Sequence, residues 1–284
     1  MNTEALRTVA ATYGTPTYIF DVREVEARIR LLRSLLPEDT GLCFAVKANP
    51  FLIPYVADLV DRLEVCSPGE YEICIQEQIA PEKIVVSGVN KTYESMKRIL
   101  SYSKGAGIYT IESEEHAKIL RTLAEKNQMP LSVLIRLSSG NQFGVDAETF
   151  LRLAKEIQES PYLTLAGVHY YAGTQKRQSK LEKELDTLTA FAKTFEEETG
   201  TVLNELEYGA GMKVSYFIND SEKDQRESEP EPQIQALAEK LRTCAYGKKT
   251  IELGRFLVSM SGYYLTRVMD VKRTAQPGFL ILDG

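Results

Sequence analysis

Short apolar runs alternate with longer amphipathic stretches along most of the chain. Eight of the runs read as strands, over residues 42–46, 63–66, 84–86, 108–111, 132–137, 165–171, 205–208 and 250–253. Each is apolar without strict alternation, the pattern of a parallel strand buried on both faces. The spacing of apolar residues predicts helices between them, over 51–59, 69–78, 92–101, 113–126, 146–159, 178–198 and 233–242. A further helix over 22–36 precedes the first strand. Asp21, Thr92, Ser113 and Asp146 stand where N-caps belong. Eight strand–helix units predict an α/β fold, a (β/α)8 TIM barrel in preference to a doubly wound open sheet. In such a barrel function gathers at the C-terminal ends of the strands, so each candidate motif can be tested by whether it follows one.

Three segments fall outside the alternation. Residues 15–20 are extended and apolar, and residues 262–271 and 279–282 read as half-exposed strands. They predict a separate β-structure built from residues 1–20 and 261–284, flanking a barrel over 21–260. Residues 219–232 are acidic, polar and end in proline, and read as a mobile loop on the active-site side.

Composition narrows the classes. The 284 residues are 43% hydrophobic and 26% charged, with net charge −6. No basic face is evident for nucleic acid. No stretch approaches the ~20 apolar residues of a membrane span, and the N-terminus lacks a signal-peptide core, so the cytoplasm is the expected compartment. Cys43, Cys66, Cys74 and Cys244 match no zinc or redox spacing and are expected to be reduced thiols. With only His116 and His169, no metal centre is expected.

Several charges are oddly placed. Lys47 follows four apolar residues in Phe44-Ala45-Val46-Lys47-Ala48-Asn49-Pro50. Two readings stay open on position alone. One is a rim lysine whose stem snorkels; the other is a lysine whose amine, depressed by burial, attacks an aldehyde. Glu64, Arg136 and Glu252 are charges inside apolar strands, better explained by convergence on one site than by unrelated ion pairs. Tyr208-Gly209-Ala210-Gly211-Met212, Gly173-Thr174-Gln175 and Gly254-Arg255 follow the last three strands. Together they offer small residues, a hydroxyl and a cation to a phosphate.

These motifs, in this order, resemble the fold-type III pyridoxal phosphate (PLP)-dependent decarboxylases of diaminopimelate, ornithine and arginine. The likeness also takes in Tyr18-Ile19-Phe20-Asp21, Glu64-Val65-Cys66-Ser67, Gly167-Val168-His169 and Glu252-Leu253-Gly254-Arg255. It implies an alanine racemase-like barrel, PLP as cofactor, a small amino-acid substrate and a homodimer. Lys47 would form the Schiff base, and Glu252 would pair with the ring nitrogen. Thr174, Gly209, Ala210, Gly211, Gly254 and Arg255 would surround the phosphate. Glu64, Arg136, His169 and Glu70 would stand around the ring and the reacting carbon, with Glu70 a catalytic candidate beside Lys47. A carboxylate at the ring nitrogen favours loss of CO2 through a quinonoid over racemisation, because that family places a cation there.

The departures are informative. Tyr171 stands where the family usually stacks a histidine on the ring. The run His169-Tyr170-Tyr171-Ala172-Gly173-Thr174-Gln175 resembles a branch serving antibiotic or siderophore pathways, including decarboxylases of carrier-protein-tethered glutamate. Gln142-Phe143-Gly144 replaces the usual Lys-Phe-Gly of the dimer contact. The sequence stops within what resembles the entry to the family's C-terminal β-domain, so the expectation is remnants of that domain and slow or unselective decarboxylation by this chain alone. The rival readings are a racemase on the same barrel, a PLP-binding protein without catalysis, and a sugar-phosphate barrel enzyme.

Overall fold

The computed structural model describes residues 1–217, 219–273 and 278–284. In chain order its elements begin with α1 (Thr3–Tyr13), β1 (Thr17–Phe20), α2 (Val22–Leu35), β2 (Thr40–Ala45) and α3 (Ile53–Val56). Next come β3 (Arg62–Val65), α4 (Pro68–Gln76), β4 (Ile84–Val86), α5 (Tyr93–Ser103), β5 (Ile108–Ile111) and α6 (Glu114–Asn127). The second half holds β6 (Leu131–Arg136), α7 (Ala147–Gln158), β7 (Leu163–Tyr171), α8 (Gln178–Thr199), β8 (Glu205–Gly209) and α9 (Glu222–Glu227). It ends with α10 (Pro230–Thr243), β9 (Lys248–Leu253), α11 (Arg255–Val258), β10 (Gly262–Leu265), β11 (Val268–Lys272) and β12 (Phe279–Leu282).

All eight apolar runs are strands, and β2 to β9 pair in order into one closed parallel barrel. The seam is β2 on β9, with Cys43 opposite Glu252 and Phe44 opposite Leu253. Both faces of β3, β4, β5 and β8 are buried, which explains why their sequences do not alternate. The main core lies between barrel and helices. A smaller apolar cluster of Cys43, Val85, Ile108 and Leu134, with Ala166, fills the barrel interior. Around this plug the inner positions are polar. Arg62 on β3 reaches Glu205 and, at 2.9 Å, Glu207 on β8. Those strands are not neighbours, so this ion cluster spans the interior.

The predicted caps hold. Thr92 accepts from Ser95 N, Ser113 from His116 N, Asp146 from Thr149 N and Asp21 from Arg23 N. Gly167 is required by packing, since a Cβ there would lie 1.9 Å from the Glu205 carbonyl oxygen. The four cysteines are free thiols. No helix among the described residues is long and apolar enough to cross a membrane.

Three expectations change. The β-structure expected from residues 1–20 is confined to the extended part, β1, which pairs antiparallel with β10, and a helix, α1, precedes it. The helix over 51–59 is a 3-10 turn at Pro50–Leu52 followed by the single turn α3, because Pro50 and Pro54 limit the backbone donors. The loop over 219–232 holds α9 and the start of α10. Lys213 Nζ fastens α9 at 2.6 Å from Asp224 and 2.8 Å from Glu227.

Candidate active site

The strand ends around β2, β7, β8 and β9 enclose a cavity of about 320 Å³. Lys47, Tyr171, Thr174, Gly211, Glu252 and Gly254 line it, together with Arg255. Lys47 sits in a 3-10 turn two residues past β2, which aims its stem across the mouth. Its Nζ lies 3.1 Å from Glu64 Oε2 and 3.6 Å from Glu252 Oε1. Both carboxylates are buried, while the lysine opens to the cavity.

Electrostatics here corrects one expectation. Burial alone lowers the Lys47 ammonium, but Glu64 and Glu252 outweigh it, so the amine is raised above an ordinary lysine. Glu64 is itself raised, by burial and by the charge of Glu252. Glu252 is the anion of the pair: burial pushes it up, but Lys47 and His169 bring it down below the usual carboxylate range. The protein therefore holds a cation between two carboxylates, one of which is ready to take a proton.

Beneath the cavity, His169 Nε2 lies 3.2 Å from Glu252 Oε2. His169 is buried and its Nδ1 has no protein partner, nor does Glu207 Oε1 next to it. The His169 ring, Glu207 and Glu252 place donor atoms within 4.8 Å of one another. Burial pushes Glu207 up to about 7 despite Arg62.

Where the loops after β7 and β8 meet the cavity, its walls are small. A Cβ on Gly209 would meet the Tyr171 ring at 2.4 Å, and one on Gly211 would meet the Gly173 carbonyl at 2.1 Å. Ala210 is buried between them. Arg255 donates to Tyr216 Oη at 2.6 Å and to Thr174 Oγ1. Among the described residues it has no carboxylate partner, so its charge is available to an anion.

Two predicted residues stand apart. Arg136 is turned to Glu112 at 2.8 Å and to the Tyr171 carbonyl at 3.4 Å, with its guanidinium carbon 5.9 Å from the Tyr171 ring. The convergence of three strand charges is thus partial, because Glu112 neutralises Arg136 locally. Glu70 serves the start of α4, where it accepts from Cys66 N at 2.8 Å, and it does not line the cavity. Four residues escaped the sequence reading. Lys91 and Glu112 follow β4 and β5 and join Arg136 in a buried cluster, with Lys91 Nζ 3.6 Å from Glu112. Burial brings Lys91 down to about 8. Lys176 bonds Glu184 at 2.7 Å and the Gly209 carbonyl at 2.9 Å. The strand-end test applied to Lys47 would have found Lys91 and Glu112, whereas Lys176 and Tyr216 lie in loops with no apolar pattern to mark them.

Residues 22–259 match the pyridoxal binding domain of the pyridoxal-dependent decarboxylases. The chain belongs to that family. A diaminopimelate decarboxylase of Actinosynnema pretiosum subsp. auranticum is 31% identical over 97% of this chain and 66% of its own length. An L-glutamyl–acyl-carrier-protein decarboxylase of Niallia circulans is 25% identical over 100% of this chain and 70% of its own. The crystal structure of an Aquifex aeolicus protein, 25% identical, superposes with a TM-score of 0.84 over 98% of this chain and 68% of that one. The chain thus spans about two thirds of the length of these relatives. Small walls, an uncompensated Arg255 and an amine in one cavity fit an aldehyde that carries a phosphate.

Proposed function

We propose that this barrel holds PLP with its aldehyde at Lys47 and serves the decarboxylation of an amino acid. The observation that carries the reading is the Lys47 amine held between buried Glu64 and Glu252, in a cavity whose walls also offer Gly211, Thr174 and an uncompensated Arg255. Bound PLP would supply an aldehyde for amines and a ring that accepts the electrons released with CO2.

The chain's own residues have separate tasks in this reading. Glu64 Oε2 takes the proton that Lys47 Nζ must lose before it can act as a nucleophile. Glu252, kept anionic by Lys47 and His169, holds a proton at the ring nitrogen. Tyr171 offers an aromatic face at the cavity wall. Thr174, Gly209, Ala210, Gly211, Gly254 and Arg255 receive the phosphate. Arg136 and Glu70 act from outside the cavity, through Tyr171 and through the start of α4.

The finer reading is a substrate delivered on a carrier protein to a homodimer. It rests on likeness to the Niallia circulans enzyme and on an open groove beside the cavity. Tyr18, Phe20, Phe51, Tyr263 and Tyr264 line that groove without a charged side chain, and Ala48 joins it to the cavity. The test is CO2 release by the PLP-loaded chain from free diaminopimelate, lysine, ornithine and glutamate and from carrier-bound glutamate. The expected result is release from at least one, lost in Lys47→Ala. Exchange of the α-hydrogen in D2O with no CO2 from any of them would mark a racemase and contradict the proposal.

A further inference from the structure

We propose that Tyr216 positions the Arg255 guanidinium for the phosphate of the cofactor, and that the strap from Lys213 to Phe217, fastened by Asp220, holds Tyr216 in place for that purpose. The inference rests on the reading that the cavity takes PLP.

Arg255 leaves the end of β9 at the cavity rim, where an arginine has long rotamer freedom. Both of its terminal nitrogens are nevertheless committed, Nη1 to Tyr216 Oη at 2.6 Å and Nη2 to Thr174 Oγ1. Both partners are neutral oxygens. They orient the guanidinium without cancelling its charge, which a carboxylate would do. A fixed, uncompensated guanidinium suits a bidentate phosphate contact.

Tyr216 is 49% exposed and would swing freely on an untethered loop. The strap prevents this. Asp220 Oδ2 accepts from Ser215 Oγ at 2.7 Å, Tyr216 N at 3.1 Å and Phe217 N at 3.3 Å. One residue upstream of Ser215, the side-chain amide of Gln175 pairs with both backbone groups of Val214, at 2.8 Å and 2.9 Å. Gln233 does the same for Lys213, at 2.9 Å and 3.0 Å. Each amide side chain thus imitates a strand partner. Gln175 directly follows Thr174, so one short segment carries the second hydroxyl on Arg255 and anchors the strap that carries the first. The two hydroxyls are fixed relative to each other before any ligand arrives, which lowers the ordering cost of binding.

Pyridoxal and PLP separate this role from a structural one, because they share the aldehyde and ring and differ in the phosphate. Equilibrium binding of each to the full chain is followed by aldehyde absorbance for wild type, Tyr216→Phe and Asp220→Asn. Tyr216→Phe is expected to weaken PLP about tenfold and leave pyridoxal unchanged, since it removes a hydrogen bond to a charged group. Asp220→Asn, which loosens the strap, is expected to shift selectivity in the same direction by less. Equal losses for both ligands, or no loss for PLP, would overturn the assignment. A wild-type chain that binds pyridoxal but does not prefer PLP would overturn it while leaving Lys47 in its role. A chain that binds neither would overturn the cofactor reading and this inference with it.

Discussion

At the scale of single residues, proton placement organises the site. Lys47 is legible in the sequence as a misplaced charge, and its two carboxylate partners are legible as charges inside apolar strands. The state of the amine is not legible, because it depends on distances that only the closed barrel sets. Glu64 and Glu252 come from β3 and β9, on either side of β2, and together they reverse the effect of burial on Lys47. Glu207 shows the opposite balance. It is fully buried, and its carboxyl stands at about 7 against an ordinary 4.5. A carboxyl raised in the folded state binds more protons there than in the unfolded chain between those values. Stability from this group is therefore fully present at low pH and falls as pH rises through about 7. Glu207→Gln removes that dependence. The stability difference between variant and wild type, from urea unfolding, should shift in the variant's favour by about 2 kcal/mol between about pH 5 and about pH 8. An equal difference at both pH values would contradict the placement of Glu207 in a dry interior.

At the scale of elements, the strands and the long helices could be read directly because burial leaves a pattern. Eight apolar runs became eight barrel strands, and four predicted caps are hydrogen-bonded as caps. The elements that escaped bury little. Neither α1 nor α9 has a buried residue, and α9 is held by Lys213 rather than by an apolar stripe. The register of β7 on β8 depends on one glycine. Their pairing sets Gly167 against Glu205, and β6 and β7 shift register between Val133 and Leu134. Gly167→Ala places a Cβ 1.9 Å from a backbone oxygen, a clash that the backbone of β8 must move to relieve. A loss of about 3 kcal/mol is expected in urea unfolding, the upper range for overpacking. A change within about 0.5 kcal/mol, the range of neutral surface substitutions, would show that β7 and β8 are more loosely paired than described.

At the scale of the whole molecule, the barrel interior holds an ion cluster and a small apolar cluster, and its polar mouth carries the candidate chemistry. Arg62 and Glu205 stand at the strand starts, and Glu207 links them to His169 and Glu252 beneath the mouth. This arrangement follows from inner positions that recur every second residue, which a run buried on both faces conceals in the sequence. The two short ribbons lie outside it. In β11 and β12 the side chains of Val268, Met269, Val271, Phe279, Leu280, Ile281 and Leu282 are all exposed. Such a ribbon has too little buried surface to organise a site by itself. The cavity, by contrast, draws its walls from barrel strands and the loops that directly follow them.

The central claim is that Lys47 is the residue that takes the aldehyde of PLP, and it can be tested without turnover. The chain is incubated with PLP, reduced with borohydride and digested, and the peptide carrying the phosphopyridoxyl group is located by mass spectrometry. The expected result is labelling at Lys47, absent in Lys47→Ala. Labelling at Lys91 or Lys176, the other buried lysines near the mouth, or no stable label at all, would contradict the account.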